Sequence, residues 1–107
     1  MLIFPLKKEW YEKIKRGEKT IEYREVKPYW GKRIEKITKG KYHYRDYGLY
    51  HGCCADNVIC KMRLGYTKKY LLAYIDSIRI LNTGKDTDLH TDKSVYAIHL
   101  ADVKEVK

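Results

Sequence analysis

Two runs of alternating apolar and polar residues, joined by a short turn, constrain the fold of this chain most strongly. The segment "NVICKMRL" predicts a half-buried strand, because apolar residues alternate with polar or mixed neighbours at Val58, Cys60, Met62 and Leu64. The segment "GYTKK" predicts a turn, and "YLLAYIDSIRIL" predicts a long strand with a bend near Asp76–Ser77. We expect the two strands to form an antiparallel hairpin, since only a short turn separates them.

The first part of the chain predicts a strand, a helix and a second strand. "LIFPL" predicts a short apolar strand, and "KKEWYEKIKRG" predicts a helix over about 7–16. This helix would follow Pro5, end at Gly17 and bury a stripe made of Leu6, Trp10 and Ile14. The alternating segment "KTIEYRE" then predicts the second strand.

The remaining segments predict turns, a short extended piece and a closing strand. "VKPYWGK" is predicted to break the second strand through Pro28 and Gly31, and "KRIEKIT" is predicted to be extended. "KGKYHYRDYGLYHG" has no clear period, "NTGKDTDLHTDKS" predicts a polar loop, and "VYAIHLADV" predicts a final buried strand. The predicted fold class is α+β, a single domain over residues 1–107. It would be a small, mostly antiparallel β-barrel with one N-terminal helix and minor helical decoration, closed to protect its sheet edges.

The charge of the chain favours an anionic partner. The formal net charge is +9, and residues 1–50 carry 14 Lys and Arg against 7 Asp and Glu. Seven of the eleven tyrosines and both tryptophans fall in the same half. Cations interleaved with aromatic rings suit single-stranded nucleic acid, whereas membrane binding would need a long amphipathic helix that the sequence does not contain.

The cysteines and the first residues bear on metal binding and location. Three cysteines, Cys53, Cys54 and Cys60, predict reduced thiols, because adjacent cysteines rarely bridge and the number is odd. A zinc site with His51 is not favoured, since the spacing does not fit paired ligands and Cys60 falls on the apolar face of a strand. We therefore predict no metal and no cofactor. "MLIFPL" is too short for a signal peptide or membrane span, so we expect a cytoplasmic location.

A four-residue pattern, G-x-K-x-x-E-x-R, follows the predicted helix and consists of Gly17, Lys19, Glu22 and Arg24. With "FPLKKEW" before it, "KPYW" after it, and "MRLGY" and "VYAIHL" further along, it resembles the ASCH domain family. The resemblance covers most of the chain, with residues about 40–56 the poorest fit. It implies a PUA-like β-barrel whose motif residues line a cleft for RNA or a nucleotide. Members of that family include an amidohydrolase acting on N4-acetylcytidine and a ribonuclease.

The chemistry of the motif agrees with a cleft of this kind. Glu22 and Arg24 share one face of the predicted strand, opposite Ile21 and Tyr23. They can form an ion pair, or Glu22 can hold Arg24 toward a phosphate or a base edge, which suits the donor fork of arginine. Lys19 lies at the turn and can converge on the same cleft. The alternative interpretation is an exposed ladder of salt bridges on an edge strand.

Two basic and aromatic clusters are further candidates for nucleic-acid binding. The first follows the motif and comprises Lys27, Tyr29, Lys32 and Arg33. There, a tyrosine would stack beside phosphate-binding cations, while Trp30 is expected to cap the core. The second surrounds the "RLGYTKK" turn and comprises Arg63, Tyr66, Lys68 and Lys69. The alternative for both clusters is a solvated surface and a plain hairpin turn.

Two other functions stay open beside RNA or nucleotide binding. An enzyme would use Lys19 and Glu22 as catalytic residues. The resemblance argues against an acetylcytidine amidohydrolase, which has a threonine where this chain has Glu22. A ribonuclease would need a general acid and base from the motif, from Tyr23, or from the histidines at positions 43, 51, 90 and 99. A protein-interaction module would use the tyrosines of residues 42–50.

The prediction is therefore a monomer that binds RNA or a nucleotide and has no membrane or metal partner. Its affinity for the nucleic acid should fall steeply with salt, because phosphate neutralisation releases counterions.

Overall fold

The computed structural model describes residues 2–38, 50–51 and 58–106. In chain order, its elements are β1 (Leu2–Leu6), α1 (Lys8–Lys15), β2 (Ile21–Glu25), α2 (Pro28–Thr38), β3 (Tyr50–His51), β4 (Val58–Leu64), β5 (Tyr70–Leu81) and β6 (Val95–Val106). All the strands belong to one sheet with the order β1-β4-β5-β6-β2, and the short β3 pairs with β5 outside this order.

The sheet is mixed and curls into a half-barrel. β1 runs parallel to β4, while every other pairing in the sheet is antiparallel. The predicted α+β, barrel-like and mostly antiparallel fold is confirmed at this level. The predicted closure of the barrel is not observed in the described residues. The sheet is a half-barrel, because β1 and β2 lie at the two ends of the strand order and do not pair with each other among these residues.

The β4–β5 hairpin follows the sequence prediction closely. Its strands share a continuous antiparallel register from Val58 opposite Ile75 to Arg63 opposite Tyr70. Gly65 turns the chain with a positive φ of 54°, which glycine adopts without a steric penalty. A register shift against β6 between Ile75 and Ser77 confirms the predicted bend of β5.

Helix α1 forms where its periodicity and its terminal glycine predict. Gly17 has a φ of 80° and donates to the carbonyl of Ile14, while Glu18 donates to that of Lys13. This pair of hydrogen bonds is the Schellman arrangement that ends many helices. Ile14 is buried as predicted, and Leu6 is buried at the end of β1, but Tyr11 rather than the half-buried Trp10 is the other buried residue of the helix.

Helix α2 replaces the predicted extended piece. β2 ends at Glu25, before Pro28, as predicted, but the segment that follows is helical through Gly31, and "KRIEKIT" is helical rather than extended. Pro28 occupies the first helical position, where its missing N–H removes no intrahelical hydrogen bond. Trp30, Ile34 and Ile37 then recur at helical spacing and pack against the core, which outweighs the weak helix propensity of glycine. The protein therefore has two helices in the described chain rather than one with minor decoration.

The core lies between the concave face of the sheet and the two helices. Its largest fully buried side chains come from β1, α1, α2, β4, β5 and β6 and include Phe4, Tyr11, Ile34, Met62 and Ile98. Glu105 on β6 joins α1 to the sheet, because it accepts a hydrogen bond from the Tyr11 hydroxyl at 3.2 Å and pairs with Lys15 at 3.2 Å. Neither helix is long and apolar enough to cross a membrane as far as the structure describes the chain.

Two buried groups make stability sensitive to alkaline pH. Burial raises the pKa of the Cys60 thiol from 9.0 to about 12, and the negative charge of Glu22 adds to this rise. Burial raises the pKa of Tyr11 from 10.0 to about 12, with further contributions from its hydrogen bond to Glu105 and the charge of that carboxylate. In the folded protein both groups are harder to deprotonate than in the unfolded chain. Their contribution to the free energy of unfolding is therefore complete below pH 9 and is lost as pH rises toward 12.

We predict that the free energy of unfolding, measured by urea denaturation under reducing conditions, falls as pH rises above about 9. Replacing Cys60 by Ala should delay the onset of this fall by about one pH unit, since Tyr11 then titrates first. If the free energy of unfolding falls at the same pH in the wild type and in Cys60→Ala, the buried thiol is not the cause, and the prediction is contradicted.

Candidate functional site

A cleft opens where the two ends of the curled sheet approach each other. It has a volume of about 570 Å³ and lies between the end of β1, α1, β2, the start of α2 and the loop after β5. We call it the seam cleft, and the residues that line it are Pro5, Leu6, Lys7, Glu9, Trp10, Glu22, Tyr23, Arg24, Glu25, Lys27, Trp30, Asp88, Leu89 and Thr91. The volume falls in the usual range for small-molecule sites.

Glu22 is the buried charged residue of strand β2. Only Glu22, at 6% exposure, is buried in this strand, and its other four residues are half-buried. Tyr23, predicted on the opposite face, lines the seam cleft together with Glu22 and Arg24. A carboxylate loses most of its hydration at such a position, so it needs close cationic or hydrogen-bonding partners.

Lys19 and Arg24 supply those cationic partners. The Nζ atom of Lys19 lies 3.8 Å from Oε1 of Glu22, and a terminal nitrogen of Arg24 lies 3.3 Å from Oε2. The Lys19 side chain is only 9% exposed, so this is a largely desolvated cluster rather than a surface ladder. The structure thus brings together the three charged residues that the sequence motif placed in one cleft.

Asp88 is a site residue that the sequence did not reveal. Its carboxylate pairs with the ammonium group of Lys19, so Lys19 bridges Asp88 and Glu22. Asp88 lies in the loop between β5 and β6, which the sequence predicts only as polar. The loop is tightly built: the Thr87 hydroxyl donates to the Gly84 carbonyl at 2.7 Å, and Gly84 forms an isolated bridge with Thr91.

Arg24 is held across the opening of the half-barrel. It donates a hydrogen bond of 3.0 Å to the backbone carbonyl of Pro5 on β1, although it belongs to β2. Its guanidinium carbon lies 5.2 Å from the ring centre of Phe4 and 5.1 Å from that of Trp30. The Nε atom is buried and has no hydrogen-bond partner among the described residues.

Aromatic rings form much of the remaining wall. Trp10, Tyr23 and Trp30 all line the seam cleft, and the ammonium group of Lys19 lies 5.4 Å from the Trp10 ring and 5.1 Å from the Tyr23 ring. Burial raises the pKa of Tyr23, and the negative charge of Asp88 raises it further. Trp30 also packs on Phe4 at 5.2 Å, so it covers the core, as predicted, and contributes to the cleft.

The charges of the cleft are balanced once Lys19 is counted. The lining has three cations and four carboxylates: Lys7, Arg24 and Lys27, with Glu9, Glu22, Glu25 and Asp88. Lys19 is not part of the lining, but it pairs with Glu22 and Asp88 and supplies the fourth cation. The net positive charge of the chain therefore lies mainly outside the seam cleft. A balanced cleft with aromatic walls is better suited to a planar polar group than to several phosphates.

The first basic and aromatic cluster is divided by helix α2. Lys27 lines the seam cleft, whereas Tyr29, Lys32 and Arg33 are exposed on the helix and do not belong to the cleft lining in the described structure. The guanidinium carbon of Arg33 lies 3.5 Å from the Tyr29 ring centre. These residues thus form a surface beside the cleft, and their cations remain in contact with solvent.

The second cluster lies at the tip of the β4–β5 hairpin. Tyr66 is 94% exposed, and Lys68 and Lys69 are also exposed. Arg63 donates to the carbonyl of Thr67 at 3.4 Å, while the Gly65 amide donates to the Leu6 carbonyl at 2.8 Å. The hairpin therefore borders β1, but none of these four candidates lines the seam cleft in the part of the chain that is described.

Metal and histidine chemistry has little support in the described residues. No group of three or more His, Cys, Asp or Glu side chains is placed to hold a metal ion there. Cys60 is buried in the core, while Cys53, Cys54 and the side chain of His51 lie outside what the structure describes. Neither His90 nor His99 belongs to the described lining of the seam cleft. His43 and the tyrosines of residues 42–49 also lie outside the described residues.

No protein-family model, no curated protein and no solved structure matches this chain.

We predict that Glu22→Gln lowers the free energy of unfolding by about 1–3 kcal/mol, because an amide cannot neutralise the buried ends of Lys19 and Arg24. Glu25→Gln is the matched control, since Glu25 also lies on β2 but pairs with the exposed Lys27 and Lys93. Its cost should stay below about 0.5 kcal/mol. Urea denaturation at neutral pH measures both values, and equal costs would contradict the buried cluster.

Proposed function

We propose that this protein binds RNA or a nucleotide and that a nucleobase occupies the seam cleft. The observation that carries the proposal is the buried Glu22 carboxylate, held between Lys19 and Arg24 in a cleft with aromatic walls. The following arguments support it.

The charged cluster is a poor way to stabilise a sheet of this size. Desolvating an ion pair costs free energy that its mutual attraction often does not recover, and apolar residues of similar volume are frequently as stable or more so. Glu22 could be replaced by an apolar residue and still fill an inward position of β2. A cluster kept at the wall of a cleft is therefore better explained by recognition of a ligand than by folding.

The lining offers the contacts that a base requires. Trp10, Tyr23 and Trp30 present ring faces or edges on which a planar base can stack. The Glu22 carboxylate can accept hydrogen bonds from amino or imino groups of the base. The Arg24 side chain is 21% exposed and lines the cleft, so the accessible part of its guanidinium group can donate to the base. Aromatic stacking combined with a hydrogen-bond donor and a hydrogen-bond acceptor is typical of base recognition in single-stranded RNA.

The motif agrees with this proposal. Gly17 ends α1, and the three charged residues of the G-x-K-x-x-E-x-R pattern, Lys19, Glu22 and Arg24, form one cluster after it. We propose on this basis that the chain is an ASCH-type domain with a PUA-like barrel. Binding of RNA or a nucleotide is what the resemblance to that family implies.

We expect Arg24→Gln to weaken binding of a ribonucleoside 5′-monophosphate by at least about tenfold, because charge-assisted hydrogen bonds contribute roughly 1.5–3 kcal/mol. Lys27→Gln removes the same charge from an exposed residue at the rim and should cost less than about twofold. Quenching of Trp10 and Trp30 fluorescence can report the affinity, since these are the only two tryptophans of the chain and both line the cleft.

The same titrations should be repeated with single-stranded RNA at two salt concentrations, with circular dichroism to confirm that each variant is folded. If Arg24→Gln and Lys27→Gln lower the affinity equally, diffuse electrostatic attraction explains the binding and a specific cleft is contradicted. A wild type that binds no nucleoside, nucleotide or RNA would overturn the proposed function. RNA that is degraded by the wild type and not by Lys19→Ala would instead identify an enzyme.

A further inference from the structure

The exposed face of helix α2 carries one continuous basic and aromatic stripe. Each member lies three or four residues from its neighbours along the side away from the core: Tyr29, Lys32, Arg33 and Lys36. The opposite face packs against the core through Trp30, Ile34 and Ile37. Because α2 was expected to be a broken and extended segment, the sequence alone did not place Lys36 beside the other three residues.

The first turn of the stripe is ordered by direct contacts. Arg33 donates to the Tyr29 carbonyl at 3.0 Å, and its guanidinium carbon lies 3.5 Å from the centre of the Tyr29 ring. The Tyr29 ring meets the Trp30 ring edge-on, with centres 4.9 Å apart and an angle of 85° between planes. Tyr29 is nevertheless 55% exposed. An aromatic ring held in place and still exposed can stack on a base with little loss of side-chain entropy.

The stripe begins at the seam cleft. Trp30 connects the two, because it lines the cleft and its ring contacts that of Tyr29, the first residue of the stripe. Lys27, one residue before the helix, also lines the cleft. From Tyr29 to Lys36 the stripe extends about 10 Å along the helix axis, which exceeds the spacing of neighbouring phosphates in a strand. The surface therefore continues outward from the place where the base is proposed to bind.

We propose that α2 binds the backbone of single-stranded RNA, so that the ligand is a polynucleotide rather than a free nucleotide. This inference rests on the proposed function: one base enters the seam cleft, and the adjoining nucleotides follow the α2 stripe. Lys32, Arg33 and Lys36 neutralise phosphates, and Tyr29 stacks on a neighbouring base. A single strand fits better than a duplex, since an exposed ring can stack only on a base that is not paired and stacked within a helix.

The test compares two double variants that remove the same charges. Lys32→Gln/Arg33→Gln acts on the stripe, whereas Arg79→Gln/Lys104→Gln removes one lysine and one arginine that are exposed on β5 and β6. The probes are a mixed-sequence single-stranded RNA of roughly eight nucleotides and a ribonucleoside 5′-monophosphate. Wild-type protein should bind the RNA more tightly than the mononucleotide.

In the stripe variant, RNA affinity should fall by about tenfold or more near 0.1 M salt, and the slope of log K against log salt should decrease in magnitude by about 1.4. Mononucleotide affinity should be unchanged, because the cleft is intact. The control variant should leave RNA affinity within about twofold of the wild type, apart from weak long-range attraction.

Tyr29 provides a second, charge-neutral measurement. Tyr29→Phe keeps an aromatic face and should preserve RNA affinity, while Tyr29→Ala should lower it by about fivefold or more, since stacking contributes roughly 1–3 kcal/mol per base. Neither substitution should change the affinity for the mononucleotide. Thermal unfolding of both variants confirms that α2 remains packed.

The outcomes separate this inference from the proposed function. Equal loss of RNA affinity in both double variants, or RNA that binds no more tightly than the mononucleotide, overturns the α2 surface and leaves the cleft proposal standing. If only the stripe variant loses RNA affinity and the wild type binds no mononucleotide, the proposal for the α2 surface stands and the proposal for the seam cleft is overturned. Displacement of the RNA by polyglutamate of equal charge shows that the surface prefers an acidic polypeptide, which also overturns the inference.

Discussion

The open seam of the half-barrel is the constraint on which the rest of this structure depends. β1 and β2 end the strand order and exchange no backbone ladder in the described residues, so a side chain has to join them. Arg24 does so by donating from β2 to the carbonyl of Pro5 on β1. Its position between Phe4 and Trp30 and its pairing with Glu22 fix the guanidinium group in turn. The cleft exists because this junction is made by a side chain instead of by a pair of strands.

The elements around the seam differ in the surface that each presents. The inner wall balances cations with carboxylates and adds aromatic rings, so it favours shape and hydrogen bonding over bulk charge. Helix α2 keeps its apolar residues on the core and leaves its cations on the outer face. Trp30 lies at the boundary of these two environments. A polynucleotide offers both a planar base and a charged backbone, which matches this division.

Local patterns predicted most of the fold, and contacts between distant segments account for the rest. The β4–β5 hairpin and α1 follow from alternation, periodicity and glycine positions, all of which act within a few residues. The local pattern does not predict helix α2, because Pro28 and Gly31 favour a turn, although proline at the first helical position does not interrupt a helix. The spacing in β2 predicted that Glu22 and Arg24 share a face, but not that this face is buried. Asp88 is 69 residues from Lys19, and no local signal links them.

The pairing of β2 with β6 has a consequence for how the protein is made. β6 lies between β5 and β2 in the sheet, so β2 gains its only neighbouring strand in the described sheet from residues 95–106. During translation, the segment that carries Glu22 must wait for more than 70 later residues before it can dock. Contacts between residues so far apart in sequence slow folding, and they leave the surface of β2 exposed until β6 has been synthesised. A nascent chain that lacks β6 has no partner strand for β2 in the sheet that the structure describes, so the seam cleft can form only after β6 has docked.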